Sequence, residues 1–463
     1  MKEDLSSSRE PIENAEPQST PQSNQAPALA RRIGIFDATM IVMGGIIGSG
    51  IFMNPSVVAQ KVHTPLLILS AWVVGGLVAL AGAFIYAELA ELRPRVGGQY
   101  AYIREAYHPA LAFMYGWMLL LVIQTGGMAA VAVTFANYFA GLAGIPRSSW
   151  TSPIIAALAL ALLTVINCFG VRAGSSLQSA LMVLKIAAIL ILVGVGLWAG
   201  RQAEAVVSEQ LATDNWQLIT AFGAAMVPVL FAYGGWQTAN FIAGEVREPR
   251  KSLPRALLIG VMGVIALYTA VNFVCVSVLG PAGLAATETP ASSVMQRALG
   301  KKGETIIAIG ISISTLGFLS QSILTAPRVY FAMADDKLFF KSVARLAPRT
   351  RVPVVAIALQ GALAIIIALS GSYAQILSYV VAFDSIFFGL TATTIFYFRR
   401  RAGNDRARFK VPGHPVTTIF FVAVEWLVVV NTFYTSPVNS AIGAAIMLAG
   451  IPVYLYWRSR NEQ

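Results

Sequence analysis

The sequence predicts an all-α integral membrane protein with twelve membrane-spanning helices. Of its 463 residues, 56% are hydrophobic and only 12% are charged, and the mean hydropathy is +0.68. Soluble domains carry about a quarter charged residues, so most of this surface is expected to face lipid. Twelve apolar runs follow one another, most of them near the roughly 20 residues that a helix needs to cross the hydrocarbon core. None alternates strictly like a membrane β-strand, and lipid cannot satisfy exposed backbone groups.

We number these runs as spans 1 to 12, and they define the predicted domain boundaries. The first 32 residues are rich in Ser, Pro, Gln, Asn and Glu, which predicts a disordered cytoplasmic tail. Residues 33–458 form the predicted twelve-helix domain. The spans cover about residues 35–60, 66–91, 110–144, 151–169, 176–199, 218–246, 254–280, 304–333, 353–370, 373–398, 416–434 and 437–457.

The basic residues indicate the orientation of the chain in the membrane. If the N-terminus is cytoplasmic, 25 of the 33 Lys and Arg residues lie in cytoplasmic segments and six lie in external loops. This bias is the positive-inside rule, and it predicts that both termini are cytoplasmic. The net charge of +11 is therefore explained by topology, and it gives no indication of a nucleic-acid partner.

Two spans contain a glycine cluster near the middle, beside a large aromatic residue. Span 1 contains "GGIIGSGIF" at residues 44–52, and span 6 contains Gly234 and Gly235 between Tyr233 and Trp236. Glycine permits non-helical backbone and a close approach by another group. Close helix packing through small residues also explains a single cluster, but two clusters five spans apart favour two interrupted helices. Unwound backbone at membrane depth is tolerated where it lines a cavity or binds a ligand.

Interrupted helices at corresponding positions of two halves are typical of transporters with inverted repeats and a site at the membrane midplane. The first repeat would be about residues 35–199 and the second about residues 218–398. Spans 11 and 12, at about residues 416–457, would stand outside the repeats.

Three segments resemble one known transporter family. They are "GGIIGSGIF", "FAYGGWQTANFIAGEVREPRKSLPRA" and "YAELAELRPRVGGQYAYIREAY". The chain is similar to the amino acid–polyamine–organocation superfamily from about residue 33 to 400, and most similar to its L-type amino acid transporter branch, including bacterial relatives. The resemblance implies a 5+5 inverted-repeat fold with broken helices 1 and 6. It also implies an amino acid transporter in the plasma (inner) membrane.

An amino acid is a zwitterion, so its site needs both donors and acceptors. The half-helix after Gly50 would offer free N–H groups and the positive end of a helix dipole to the carboxylate. The broken helix ends would offer carbonyl acceptors to the ammonium. The resemblance implies carboxylate contacts at Ser49 and Gly50, ammonium contacts at Ile46, Phe231 and Gly234, an aromatic gate at Phe231, and a polar position beside the pocket at Gln237. A hydrogen bond between helices explains Gln237 equally well.

Lys185 lies about ten residues into span 5, roughly 15 Å deep at 1.5 Å per residue. A lysine near a span end usually snorkels to the interface, whereas one this deep is usually functional. The family carries a lysine here that reaches toward spans 1 and 8, where sodium-coupled relatives hold Na⁺. A fixed ammonium would repel and replace that ion, so we predict sodium-independent transport.

Three acidic residues leave the coupling open. Asp384 lies in span 10, Glu425 in span 11, and Glu88 near the cytoplasmic end of span 2. Asp384 could favour a cationic substrate, titrate in proton coupling, or hydrogen-bond to a neighbouring helix. Many mammalian L-type members carry Asn where this chain has Asp384, so the preferred side chain stays open.

The cysteines and histidines predict no cofactor, metal site or disulfide-linked subunit. Cys168 and Cys275 lie in or near spans, and the three histidines are scattered. Mammalian L-type members bind a glycoprotein partner through a disulfide in the loop between spans 3 and 4. That loop, "AGIPRSSW", has no cysteine here.

The function predicted from the sequence is sodium-independent transport of L-amino acids, neutral rather than charged, by alternating access and as an exchanger. A proton-coupled symporter and a cationic amino acid or polyamine antiporter are the alternatives. A channel or a membrane nutrient sensor is a different class, but few spans show a polar stripe and the longest loops have about 20–25 residues. The residues show no catalytic constellation, so no enzyme activity is predicted.

Overall fold

The protein is a bundle of long apolar helices. This computed structural model describes residues 29, 31–146, 148–201, 215–370, 373–401 and 407–462. Apart from residues 29, 31 and 32, the predicted tail lies outside the described residues, as does Arg147 of the external loop. Within the described residues, eleven helices are long and apolar enough to cross a membrane, and Val354–Ser370 is a shorter twelfth of 17 residues. The predicted all-α membrane fold is confirmed.

The described residues form sixteen α-helices, because several spans are interrupted or bent and a short helix, α4 (Gln99–Ala106), connects spans 2 and 3. Spans 1 and 3 each consist of two α-helices, and span 6 continues as a 3₁₀ segment, Trp236–Glu245. The α-helices are α1 (Ile35–Ile46), α2 (Gly50–Ala59), α3 (Pro65–Leu92), α4 (Gln99–Ala106), α5 (Pro109–Met118), α6 (Gln124–Ala143), α7 (Thr151–Cys168), α8 (Val171–Gly200), α9 (Asn215–Tyr233), α10 (Pro249–Ala285), α11 (Pro290–Thr325), α12 (Pro327–Asp335), α13 (Val354–Ser370), α14 (Tyr373–Arg401), α15 (Val416–Thr435) and α16 (Pro437–Glu462). Leu119–Ile123 is a π-helical turn between α5 and α6, and Lys341–Ala344 is a second 3₁₀ turn.

The predicted start of span 8, near residue 304, is too late. Helix α11 begins at Pro290, and its first turns are separated from the rest by a bend at Gly300, whose φ is +61°. Helix α10 bends in the same way at Gly280, with φ +66°. The helical segments between these two bends, after Gly280 in α10 and before Gly300 in α11, therefore extend spans 7 and 8 beyond the apolar runs.

Span 1 and the second half of span 6 lie at the centre of the bundle, whereas spans 11 and 12 lie at its edge. Helix α1 packs against α8, α10, α11 and the 3₁₀ segment, while α15 packs against α3, α14 and α16. In span 1, 72% of the most apolar window is buried within the protein, against 22% in span 12. Span 1 is thus shielded from lipid, as its unpaired backbone groups require. In span 6 the buried part is the second half, Trp236–Glu245, whereas only 22% of its most apolar window is buried.

The C-terminal end of span 6 pairs with the segment that precedes span 1. The N–H groups of Arg32 and Ile33 both donate to the Glu245 carbonyl, at 2.9 and 3.0 Å. Ile33 also forms an isolated parallel bridge with Val246. Backbone pairing therefore begins at Arg32, the last residue of the predicted tail.

Candidate functional site

A cavity of about 420 Å³ lies where the interruptions of spans 1 and 6 meet. From the two interruptions it extends along α2 as far as Val57 and along α6 as far as Tyr138, toward the predicted external side. The cavity is lined by all six residues that the sequence predicts for substrate binding, which are Ile46, Ser49, Gly50, Phe231, Gly234 and Gln237. Asp384 also lines it. Lys185 is not among the lining residues.

The interruption of span 1 leaves backbone donors free. Helix α1 ends at Ile46, α2 begins at Gly50, and the residues between them are not helical. In the described part of the chain, the N–H groups of Gly48, Ser49 and Gly50 donate to no other protein group. They lie at the N-terminal end of α2, where the helix dipole is positive. Such a site suits an anion, as the sequence predicts for Ser49 and Gly50.

Carbonyl groups at the same interruption accept hydrogen bonds from other spans. The Tyr268 hydroxyl lies 3.1 Å from the carbonyl oxygen of Ile46 and 3.3 Å from that of Ala232. The Ser314 hydroxyl donates to the Gly48 carbonyl at 3.3 Å. The Ile46 carbonyl, a predicted ammonium acceptor, therefore keeps one lone pair for a ligand. Tyr268 joins the two interrupted spans, and its role was not predicted.

The interruption of span 6 is a two-residue turn. The Phe231 carbonyl accepts from the Gly234 N–H at 3.2 Å, so it also keeps a second lone pair. Gly235 has φ +101°, and a Cβ there would lie 2.1 Å from the Gly45 carbonyl oxygen. Only glycine fits this crossing, which brings the two interruptions into direct contact. The predicted pair of interrupted helices is thus present in the structure.

The second half of span 6, Trp236–Glu245, has 3₁₀ geometry with a kink at Ile242, whose φ of −95° and ψ of 16° are not helical. Most 3₁₀ runs end after three or four residues. At the start of this segment, the Thr238 hydroxyl donates to the Gly235 carbonyl at 2.7 Å. The side-chain amide of Gln321, on α11, donates to the same hydroxyl at 2.6 Å. Gln321 lines the cavity and was missed at the sequence level. Its signal was a lone amide within the apolar run of span 8.

Gln237 is 3% exposed and lines the cavity. Its Oε1 atom is buried without a hydrogen-bond partner among the described residues. The bond between helices that was the alternative explanation is therefore not made by this oxygen.

Lys185 is fully buried, and its ammonium donates to the Ile47 carbonyl at the interruption of span 1. A Cβ on Gly317 of α11 would lie 3.4 Å from its Nζ atom. The side chain therefore reaches between spans 1 and 8, as the sequence predicts. Because it binds backbone behind the cavity wall, it can act on a ligand only through span 1.

One part of the cavity wall combines aromatic rings and carboxyl groups. Trp236 stacks on Phe388 with ring centroids 5.5 Å apart, and Phe421 lies 6.3 Å from Trp236. Asp384, one turn before Phe388, and Glu425 of α15 line the same cavity. The Oδ1 atom of Asp384 has no partner within the described chain.

A fully buried ion pair lies at the C-terminal end of span 6. Arg328 of α12 and Glu245 are both 0% exposed. The guanidinium lies 3.0 to 3.2 Å from the two carboxylate oxygens. This pair links span 8 to span 6.

We expect Arg328→Met to lower the free energy of unfolding by about 3–5 kcal/mol, because it leaves the Glu245 carboxylate buried without its partner. Thermal unfolding of the purified protein in detergent measures the effect. Arg104→Met is the matched control. Its ion pair with Asp336 is 43% exposed on the arginine side, so about 0–1 kcal/mol is expected. Equal shifts for the two variants would contradict the assignment.

No group of three or more His, Cys, Asp or Glu side chains that could hold a metal ion occurs in the described ranges. Cys275 is buried within α10, and Cys168 is half-buried at the end of α7.

Comparisons with known proteins agree with this geometry. A family model described as amino acid permease matches residues 33–457. The serine/threonine exchanger SteT of Bacillus subtilis is 32% identical over 437 residues, which cover 94% of this chain and 98% of that protein. The human large neutral amino acids transporter small subunit 2 is 29% identical over 94% of this chain and 82% of its own. The human Asc-type amino acid transporter 1 is 28% identical over 96% of this chain and 86% of its own.

Proposed function

The chain belongs to the amino acid permease family, and on that basis we propose that it exchanges L-amino acids across the membrane by alternating access, without sodium. One observation carries the proposal. Free N–H donors of span 1 and carbonyl acceptors of both interrupted spans face a single cavity of about 420 Å³. This arrangement complements the two opposite charges that all amino acids share. The inverted-repeat relation of the two halves is part of the proposal, and it is supported by the interruption of the first span in each half.

The proposed roles follow the geometry. Ser49 and Gly50 bind the carboxylate, while the carbonyls of Ile46, Phe231 and Gly234 accept from the ammonium. The Phe231 ring is half-buried on the cavity wall, where it can cover the substrate. Gln237, whose Oε1 atom has no partner, supplies a further acceptor beside the pocket.

Lys185 takes the place of a coupling ion. Its ammonium holds the Ile47 carbonyl in the interrupted part of span 1. A fixed charge at this position repels a second cation and ties the conformation of span 1 to spans 5 and 8. We therefore expect equal transport rates in sodium and choline buffers.

The proposed setting is the plasma membrane, with both termini in the cytoplasm, as the positive-inside bias indicates. In that orientation the ion pair of Arg328 and Glu245 lies on the cytoplasmic side, and opening that side requires spans 6 and 8 to separate. The family and the named relatives are transporters, and we propose no enzyme activity, cofactor, nucleic-acid partner or disulfide-linked subunit. Neutral substrates are supported by the similarity of the chain to a serine/threonine exchanger and to a large neutral amino acids transporter subunit.

A second candidate is proton-coupled symport, or antiport of cationic amino acids or polyamines. It is favoured by the two carboxyl groups, Asp384 and Glu425, on the cavity wall.

The test is uptake by proteoliposomes that contain the full chain. Labelled alanine, serine, leucine and arginine are offered to vesicles that are empty or loaded with unlabelled amino acid. Each measurement is made in sodium and in choline, with and without a pH gradient. The proposal expects uptake that needs internal amino acid and ignores sodium and the gradient. Uptake into empty vesicles driven by the pH gradient would overturn exchange in favour of the second candidate.

A further inference from the structure

The carboxyl groups of the cavity have no basic counterpart. Two acidic residues, Asp384 and Glu425, line the cavity, and none of its described lining residues is Lys, Arg or His. Lys185, the nearest candidate for a counter-charge, lies behind span 1 and donates to the Ile47 carbonyl. The acidic wall is thus not neutralised by the protein from within the cavity.

Asp384 in addition lacks its normal hydrogen bonds. Its side chain is part-exposed on the cavity wall. The Oδ1 atom is buried, and no donor reaches it from the described part of the chain. Buried carboxyl oxygens are almost always satisfied, and leaving one without a donor is costly. Because the part-exposed side chain of Asp384 lines the cavity, its carboxyl group is expected to accept a hydrogen bond from the occupant.

The position of Asp384 separates it from the backbone contacts of the substrate. It lies on α14, one turn before Phe388, which stacks on Trp236 of the interrupted span 6. The carboxylate and ammonium contacts proposed above lie on spans 1 and 6. A group on α14 that faces the same cavity is placed to meet the side chain instead.

We propose that Asp384 is the side-chain subsite, and that it selects substrates whose side chain carries a hydrogen-bond donor. Hydroxyl, amide and ammonium groups can donate such a hydrogen bond, whereas purely aliphatic side chains leave the carboxyl group without a hydrogen-bond partner. A site built around an acceptor discriminates strongly against an isostere that lacks the donor. This inference rests on the proposed function, because it assigns the substrate class of the same cavity.

The test compares threonine with valine, which have nearly the same shape and differ in the donor. The proteoliposomes are loaded with unlabelled alanine, and the uptake of labelled alanine is measured. Threonine or valine is added outside as the competitor. For the unaltered protein we expect threonine to compete at least about tenfold better than valine. In Asp384→Ala this ratio is expected to fall close to one.

Val381→Ala is the matched control, since Val381 lies one turn before Asp384 on the same wall. It removes apolar contact without removing an acceptor, so it should weaken both competitors and leave their ratio unchanged. Asp384→Asn keeps the volume but loses the charge that strengthens the bond. It should lower the ratio at least about threefold, and it serves as the test if Asp384→Ala does not fold.

The possible results separate this inference from the proposed function. If no amino acid exchanges, the proposed function fails. If alanine exchanges but threonine and valine compete equally with the unaltered protein, only the side-chain subsite fails. A ratio that survives in Asp384→Asn and Asp384→Ala would likewise overturn the role of Asp384.

Discussion

Lys185→Ala is expected to abolish most exchange while leaving substrate binding nearly intact. The Lys185 ammonium donates to the Ile47 carbonyl in a fully buried position. Hydrogen bonds to a charged group contribute about 1.5–3 kcal/mol. Loss of that bond allows the interrupted part of span 1 to rearrange, so we expect roughly a 10- to 100-fold loss of exchange rate. The binding contacts at Ser49 and Gly50 lie on the other side of the backbone and remain.

Exchange in proteoliposomes and substrate-dependent thermal stabilisation in detergent measure the two effects separately. Lys185→Met fills the same volume without charge, and it distinguishes loss of the ammonium from loss of packing. Leu184→Ala is the control on the same helix, because Leu184 is 50% exposed at the outer surface. Wild-type exchange by Lys185→Met would show that the ammonium has no role in coupling.

Gly235→Ala is expected to be among the most destabilising small substitutions in the chain. The residue has φ +101°, and an added Cβ would overlap the Gly45 carbonyl at 2.1 Å. Backbone strain of this kind costs about 1–3 kcal/mol, and overpacking adds about 1–3 kcal/mol. Since neither interruption can shift without the other, we expect exchange to be lost together with stability.

Gly223→Ala is the control within the same span. Nothing lies within 4 Å of its Cβ position in helix α9, and alanine favours helix over glycine by about 0.5–1 kcal/mol. Thermal unfolding should therefore be unchanged or slightly raised for Gly223→Ala and strongly lowered for Gly235→Ala. If Gly235→Ala unfolds at the wild-type temperature, the close crossing of spans 1 and 6 is not required.

The spans and their interruptions could be predicted because both are local properties of the sequence. Apolar length marks a membrane helix, and a glycine cluster beside Phe52 or Trp236 marks a place where the helix can open. The depth of Lys185 along span 5 also follows from counting residues. These features need no knowledge of how the helices are rotated.

The partners of these groups could not be predicted, because they depend on the rotation of helices distant in sequence. Tyr268 reaches the Ile46 carbonyl from 222 residues away, and Ser314 reaches Gly48 from 266 residues away. The ion pair of Glu245 and Arg328 could not be predicted for the same reason, since it also depends on how the helices are rotated. Arg328 could be recognised only as a basic residue inside a span.

The 3₁₀ geometry of the second half of span 6 also left no local mark in the sequence. Trp236–Glu245 contains a single glycine, and its residues have no special preference for a tighter helix. The contact of Gln321 with Thr238 and the crossing at Gly235 fix its start. Tertiary contacts therefore select this conformation.

The central claim is that the two interruptions together bind both charges of an amino acid. Competition for alanine exchange by alanine, its methyl ester, its N-acetyl derivative and putrescine tests it most directly. The claim predicts that only the free zwitterion competes, because the ester loses the charge bound at Ser49 and Gly50 and the N-acetyl derivative loses the charge bound at Ile46, Phe231 and Gly234. Equal competition by putrescine or by the methyl ester would show that the N–H groups of span 1 do not bind a carboxylate.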